Sequence, residues 1–251
     1  MINDLLLLSG NDIPFVEAQV NIHQPSIKEI AYIGEESFFI GCEILNFTKE
    51  SLAIEDRVQL QNFSDLEVLL SILQGDFVHT KKEKSCATLI LTLLFPEYQI
   101  YFTEKEIQLI KGNINDLEKE VKIINSKNFN SFQKILSQIF NLKSSAPEKE
   151  YNPGGDMARK IAQKFEERKR KLAEQSKSSE GKINILCRYV SILSVGQQKD
   201  MNDLLNYTVY QLFDEFQRFE LKMQADFNFQ ARMAGAKDLP EIEDWMKDIH
   251  T

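Results

Sequence analysis

The sequence is short of the residues from which active sites are most often built. Three histidines occur, His23, His79 and His250. They stand in unrelated contexts, none in H-E-x-x-H or another ligand spacing. G-x-S-x-G is missing, and so is the Walker-type glycine loop. These absences argue against metal-dependent, serine-dependent and nucleotide-hydrolysing chemistry. They predict a protein that is not an enzyme and that uses no metal or cofactor. Cysteine is scarce too: Cys42, Cys86 and Cys187 lie far apart, form no C-x-x-C pair and sit in apolar surroundings, which predicts three buried thiols in a reducing compartment. Long apolar runs are lacking. The run CATLILTLLF over 86–95 is roughly half a membrane span. LLLLSG near the start follows Asp4 and has no basic segment before it, so no signal peptide is expected. A basic surplus is also missing. Lys and Arg number 30 against 38 Asp and Glu, a net charge of -8, and a field of that sign repels phosphate. Neither nucleic acid nor an anionic membrane is an expected partner.

What is present is a core-forming chain with uneven charge. Residues 1–155 carry 14 basic and 22 acidic side chains, 156–182 carry 9 and 5, and 183–251 carry 7 and 11. Two acidic regions therefore flank a basic one. The expected class is α+β. A mixed domain over 1–143 has helices and a small antiparallel sheet, a linker with a charged helix covers 144–182, and an all-helical domain over 183–251 contains one long helix.

Local signals support this reading. NDIPFVEAQVNIHQP alternates from Ile13 to Ile22 and stops at Pro25, as a strand or hairpin does. Ser26 and Glu29 form a capping box before Ile27, Ile30, Ala31 and Ile33, and Gly34 separates that helix from another ending near Phe47. Ser64 and Glu67 mark a further helix start, with Gly75 as its stop. EYQIYFTEKEIQLIKG reads as two strands around the turn TEKE. INDLEKEVKIINS and NSFQKILSQIFNLK then read as helices, the first with Leu117, Val121 and Ile124 on one face.

The segment KSSAPEKEYNPGGD over 143–156 cannot build a core element. Its NPGGD turn could offer amides to a phosphate, but a linker turn with Asp156 as helix cap is the simpler reading. DMARKIAQKFEERKRKLAEQ reads as a charged helix with a thin apolar stripe. It could serve as a nucleic-acid arm, a solvated helix or a contact for an acidic domain. Glu166, Glu167 and Glu174 weaken the first option.

The C-terminal region carries the candidate functional residues. INILCRYVSILSVG presents Ile185, Leu186, Tyr189, Ile192 and Leu193 on one face, closed by Gly196. After Asp200 or Asn202 as cap, one long helix is predicted to run to Gly235, roughly 50 Å. Leu205, Val209, Leu212, Phe216, Phe219 and Met223 recur at spacings 4, 3, 4, 3, 4, a heptad seam. Phe213, Phe227 and Phe229 widen it. One preceding helix cannot cover so long a face, so another chain is the expected cover. A helix-turn-helix reading fails because Asp203, Asp214 and Glu215 precede the first arginine of the would-be recognition helix. Beyond Pro240, Ile242, Trp245, Met246 and Ile249 fall on one helical face. Trp245 either folds back on the long helix or anchors in a partner's groove.

The stretches NPGGDMARKIAQKFEERKRKLAEQ, SILSVGQQKDMNDLLNYTVYQLFDEFQRFELKMQADFNFQARMAGAK and EDWMKDIH resemble proteins from the tail genes of long-tailed phages and prophages of Gram-positive bacteria. QPSIKEIAYIGEESFFIGCEILNFTKESL fits the same group. The resemblance implies a tail assembly chaperone-like protein that holds the tape measure protein, the tail tube protein or both during tail morphogenesis, in the cytoplasm of an infected or lysogenic host. A structural tail or baseplate component retained in the virion is the alternative. Leu205, Val209, Leu212, Phe216, Phe219, Met223 and Trp245 are the expected partner-binding residues, with self-association a second use of the same seam.

Overall fold

A computed structural model describes residues 2–51, 60–74, 78–112, 119–142, 184–235 and 246. The chain is α+β. Helix α1 (Asp4–Ser9) leads into strand β1 (Ile13–Phe15), a single 3-10 turn (Val16–Ala18) and strand β2 (Val20–Ile22). The two strands pair antiparallel, Ile13 opposite Ile22 and Phe15 opposite Val20. The alternation seen in the sequence is thus a hairpin whose Ile13, Phe15, Val20 and Ile22 are buried, while Pro14 and Val16 are exposed. Helices α2 (Ile27–Ile33) and α3 (Glu35–Leu45) follow, separated by Gly34. The Ser26 hydroxyl accepts from the Glu29 amide while the Glu29 carboxylate accepts from the Ser26 amide, so both arms of the capping box form.

After α4 (Asp65–Gln74) and α5 (Val78–Leu94) comes a second antiparallel sheet, in the order β3 (Gln99–Phe102), β4 (Glu106–Lys111), β5 (Glu120–Asn125). Ser64 and Glu67 cap α4 reciprocally, as their spacing suggests. Strand β5 replaces an expected helix. Val121 and Ile124 are three apart and fit a helical face, but in the structure Val121 pairs with Ile110 and Ile124 with Ile107. Only Ile124 is buried there, while Val121 is part-exposed at the sheet surface. Leu117 lies outside the described residues. Helix α6 (Phe129–Ile139) closes this stretch.

The C-terminal helices are α7 (Ile185–Gln197), α8 (Met201–Leu205) and α9 (Val209–Met233). Residues 1–142 and 185–251 belong to one compact unit, so the two stretches expected as separate domains share a core. Phe15, Phe95, Phe129 and Phe132 gather in it at centroid spacings of 6.0–6.3 Å, alongside Leu186, Leu193, Leu204, Val209 and Leu212 from the C-terminal helices. The linker and charged helix expected over 144–182 lie outside the described residues.

Polar contacts tie the two stretches together. The Glu35 carboxylate accepts from the amides of Leu186 and Cys187, so the start of α3 caps the start of α7 from far away in sequence. The Ile27 amide donates to the Tyr207 carbonyl at 2.8 Å, and Ser26 bridges Thr208. The Gln211 side chain donates to the Leu8 carbonyl at 2.6 Å. Helices α3 and α5 approach closely at Gly41, where a Cβ would lie 2.4 Å from Ile90 and 2.7 Å from the Cys86 carbonyl oxygen. Any larger residue there would force the pair apart. Cys42 and Cys86 are buried as expected, but Cys187 is exposed: it faces away from the stripe of Leu186, Val190 and Leu193 that docks α7. Among the described residues, no helix is long and apolar enough to cross a membrane.

Candidate partner-binding face

The expected long helix is present as α9, but it starts at Val209 rather than near Asp200, and a short separate helix, α8, precedes it. Helix α8 ends at Leu205 and α9 begins at Val209, with Asn206, Tyr207 and Thr208 between them. Asp200 caps α8 through the Asn202 amide. Thr208 caps α9 in a second full capping box with Gln211. The T-x-x-Q spacing that announces this restart is visible in the sequence, and the heptad spacing from Leu205 to Val209 spans it by coincidence. The break has a physical cause. The Tyr207 carbonyl accepts from Ile27 at the start of α2, so it is turned outward to another element.

The seam residues accordingly divide. Leu205 is half-buried against the core from α8. Val209 and Leu212 are 1% and 0% exposed. Phe216 and Phe219 are half-buried, and α7 covers them. Tyr189 stacks on Phe216 with centroids 3.7 Å apart and planes 4° apart, and meets Phe213 edge-on at 5.2 Å. Phe219 lies over Gly196, where a Cβ would fall 2.3 Å from its ring. Gly196 is therefore a seat for an aromatic ring inside α7, which runs on to Gln197. Met223, the last seam residue, is 53% exposed. Trp245 lies outside the described residues. Its neighbour Met246 is exposed, in a turn.

Beyond Phe219 the stripe continues bare. Phe227, four residues past Met223, is 69% exposed, and Phe229 and Met233 are exposed as well. On the other side of the same helix Leu221 and Asn228 are buried. This half of α9 thus packs through Leu221 and Asn228, exposes Met223 and Phe227 along the stripe, and exposes Phe229 and Met233 further round. The sequence signal for Phe227 as a seam member was the unbroken spacing from Met223.

Charge frames this stripe. A cavity of about 710 Å³ lies between the end of α7 and the middle of α9, lined by Phe219 and Met223 among polar and charged residues that include Gln197, Glu215, Arg218, Lys222 and Asp226. Lys199 donates to Glu215 at 2.5 Å and to the Tyr207 hydroxyl at 3.0 Å, clamping the α7–α8 connection onto α9. Partial burial pulls the Lys199 pKa down, but these two hydrogen bonds outweigh it and hold the ammonium above the ordinary lysine value. Arg218 pairs with Asp214 one turn back. Lys222 and Asp226 form no ion pair among the described residues. Nor does any group of three or more His, Cys, Asp or Glu among these residues stand where it could hold a metal ion. Phe219 and Met223 set among charges of both signs suit a helix of another chain better than a small molecule.

The described fold is thus an α+β unit with an aromatic helical face, half covered by its own chain. In comparisons with known proteins, the family described as the YomV second domain matches residues 177–250, a stretch that takes in α7, α8 and α9. Neither the curated proteins nor the solved structures give a match.

Proposed function

We propose that the protein is a tail assembly chaperone-like factor of a phage or prophage. It holds the tape measure protein, the tail tube protein or both through the bare half of α9 and does no chemistry of its own. The observation that carries this reading is the exposed continuation of the seam at Met223 and Phe227, with Phe229 and Met233 exposed further round the same helix. An apolar stripe of this kind in water favours association, because each large side chain left uncovered forgoes about 1.5–3 kcal/mol of burial. A tape measure protein is itself helical and apolar before the tube encloses it, so helix-on-helix docking is the matching chemistry. The phage or prophage setting draws on the similarity of residues 177–250 to the second domain of YomV, a Bacillus prophage-region protein of unclear role.

The test is co-expression with the tape measure protein of the same genome, followed by pull-down. Met223→Glu combined with Phe227→Glu is the right variant, because both side chains are exposed and the fold does not depend on them. Substituting Phe216 or Phe219 would disturb the contact with α7 and confuse loss of binding with loss of folding. Capture by the wild type and none by the double variant is the expected result. Equal capture by both would remove α9 from the binding face. Finding the protein in purified, salt-washed virions would favour a retained tail or baseplate component instead.

A further inference from the structure

We infer that the bare half of α9 also pairs with the same half of α9 from a second copy of the chain, antiparallel, about a two-fold axis near Gln224. The inference rests on the same face as the proposed function, but not on what client that face holds.

The argument is one of charge self-complementarity. Val209, Leu212, Phe216, Phe219, Met223 and Phe227 form one stripe along α9, and Lys222 and Asp226, one turn apart, line the same edge of its bare part. When two identical helices pair antiparallel about a two-fold axis, each edge meets the same edge of its partner, running the other way. With the axis at Gln224, Lys222 of one copy stands opposite Asp226 of the other, and by symmetry the reverse pair forms too. Both are exposed and neither has an ion pair among the described residues. In that register Met223 and Phe227 of the two copies interleave between these charges. An apolar stripe flanked by free, self-complementary charges is what a homodimer of helices needs.

The available area sets the strength. Met223 and Phe227, the two exposed members of the stripe, together leave about 250 Å² per copy uncovered, taking roughly 200 Å² for each large side chain. Burying both copies removes about 500 Å² of apolar surface, the apolar share of a small interface, so the dimer is weak and reversible. A client with a longer apolar helix would displace the second copy, so the pairing would shield the face until the client arrives.

The experiment is analytical ultracentrifugation of the full chain over a wide concentration range. Wild type is expected to pass from monomer to dimer, with the transition moved to higher concentration by salt. Lys222→Glu and Asp226→Lys, each made singly, set like charges against each other twice and are expected to weaken the dimer about tenfold or more. Combining the two restores opposite charges in this register and should return the dissociation constant near the wild-type value. Circular dichroism would show unchanged helix content in all three. A wild type that stays monomeric at the highest concentrations overturns the inference. So does a combined variant no better than the single ones. Client capture is read separately by pull-down: a monomer that still binds the tape measure protein leaves the proposed function intact, and charge-swap rescue without client binding leaves only the dimer.

Discussion

The two halves of α9 both carry large apolar side chains, four aromatics in the first and two in the second, but in different environments. From Val209 to Phe219 the stripe meets α7, whose Tyr189 and Gly196 are shaped to receive rings. At Met223 and Phe227 the stripe goes on, but α7 has already ended at Gln197. One helix length therefore fixes where fold ends and surface begins. Apolar periodicity identifies a face that wants cover; only the length of the neighbouring element decides whether the cover comes from the same chain. Mutations that treat the halves alike would erase this distinction, so they test it most directly.

The largest expected contrast is between Leu212 and Phe227. Leu212 is fully buried, and Leu212→Ala is expected to cost about 2–5 kcal/mol, as deletions in packed cores do. Phe227→Ala removes a larger side chain yet should stay within about 0.5 kcal/mol, because it is mostly in water at concentrations where the chain is monomeric. Urea unfolding monitored by circular dichroism gives both values. Comparable costs would mean that the second half is packed after all.

Gly196→Ala probes the boundary itself. The new Cβ would run into Phe219 and push the ring towards the cavity, at a cost of about 1–3 kcal/mol if the ring cannot swing freely. A smaller effect with a brighter signal from a surface-hydrophobicity dye would show Phe219 turning outward and lengthening the bare stripe. Thr208→Ala tests the break that starts α9. Losing its side-chain cap should cost about 0.5–2 kcal/mol in the same unfolding assay. No loss would mean that the contact between Ile27 and Tyr207 alone positions the helix.

These residues also explain what could be read in the sequence. The β1–β2 hairpin, the Ser26–Glu29 box and the Ser64–Glu67 box depend on neighbours within a few positions, so alternation and spacing disclosed them. Strand β5 depends on β4, about fifteen residues away, and Val121 and Ile124 also satisfied a helical period; tertiary pairing decided between the two. The break at Asn206–Thr208 was legible in Thr208 and Gln211, but a heptad that happened to bridge it hid the signal. For the candidate face, the residue types and their order along the stripe were legible. Which of them α7 covers was not, since that depends on where Tyr189 and Gly196 land in space.

The smallest expected effect concerns the clamp that holds α7 against the covered half. Lys199 is held protonated by Glu215 and Tyr207, with its pKa raised above 10.5 despite partial burial. A lysine whose pKa is higher folded than unfolded contributes stability that is fully present below the unfolded value. It is lost as pH rises from 10.5 through the folded pKa. Lys199→Met should therefore be less stable than wild type at pH 8, and the gap should narrow as pH climbs past 10.5. Because Lys199 and Glu215 are both partly exposed, solvent screening keeps the gap modest. Tyr207→Phe removes one of the two partners and should shrink the gap without abolishing it, since the Glu215 bond survives. A gap that stays constant from neutral to strongly alkaline pH would assign the loss to the packing of the lysine stem over the Tyr207 ring. In that case α7 would be held to the covered half of α9 by apolar contact alone, and the two halves would differ only in how much neighbour each one has.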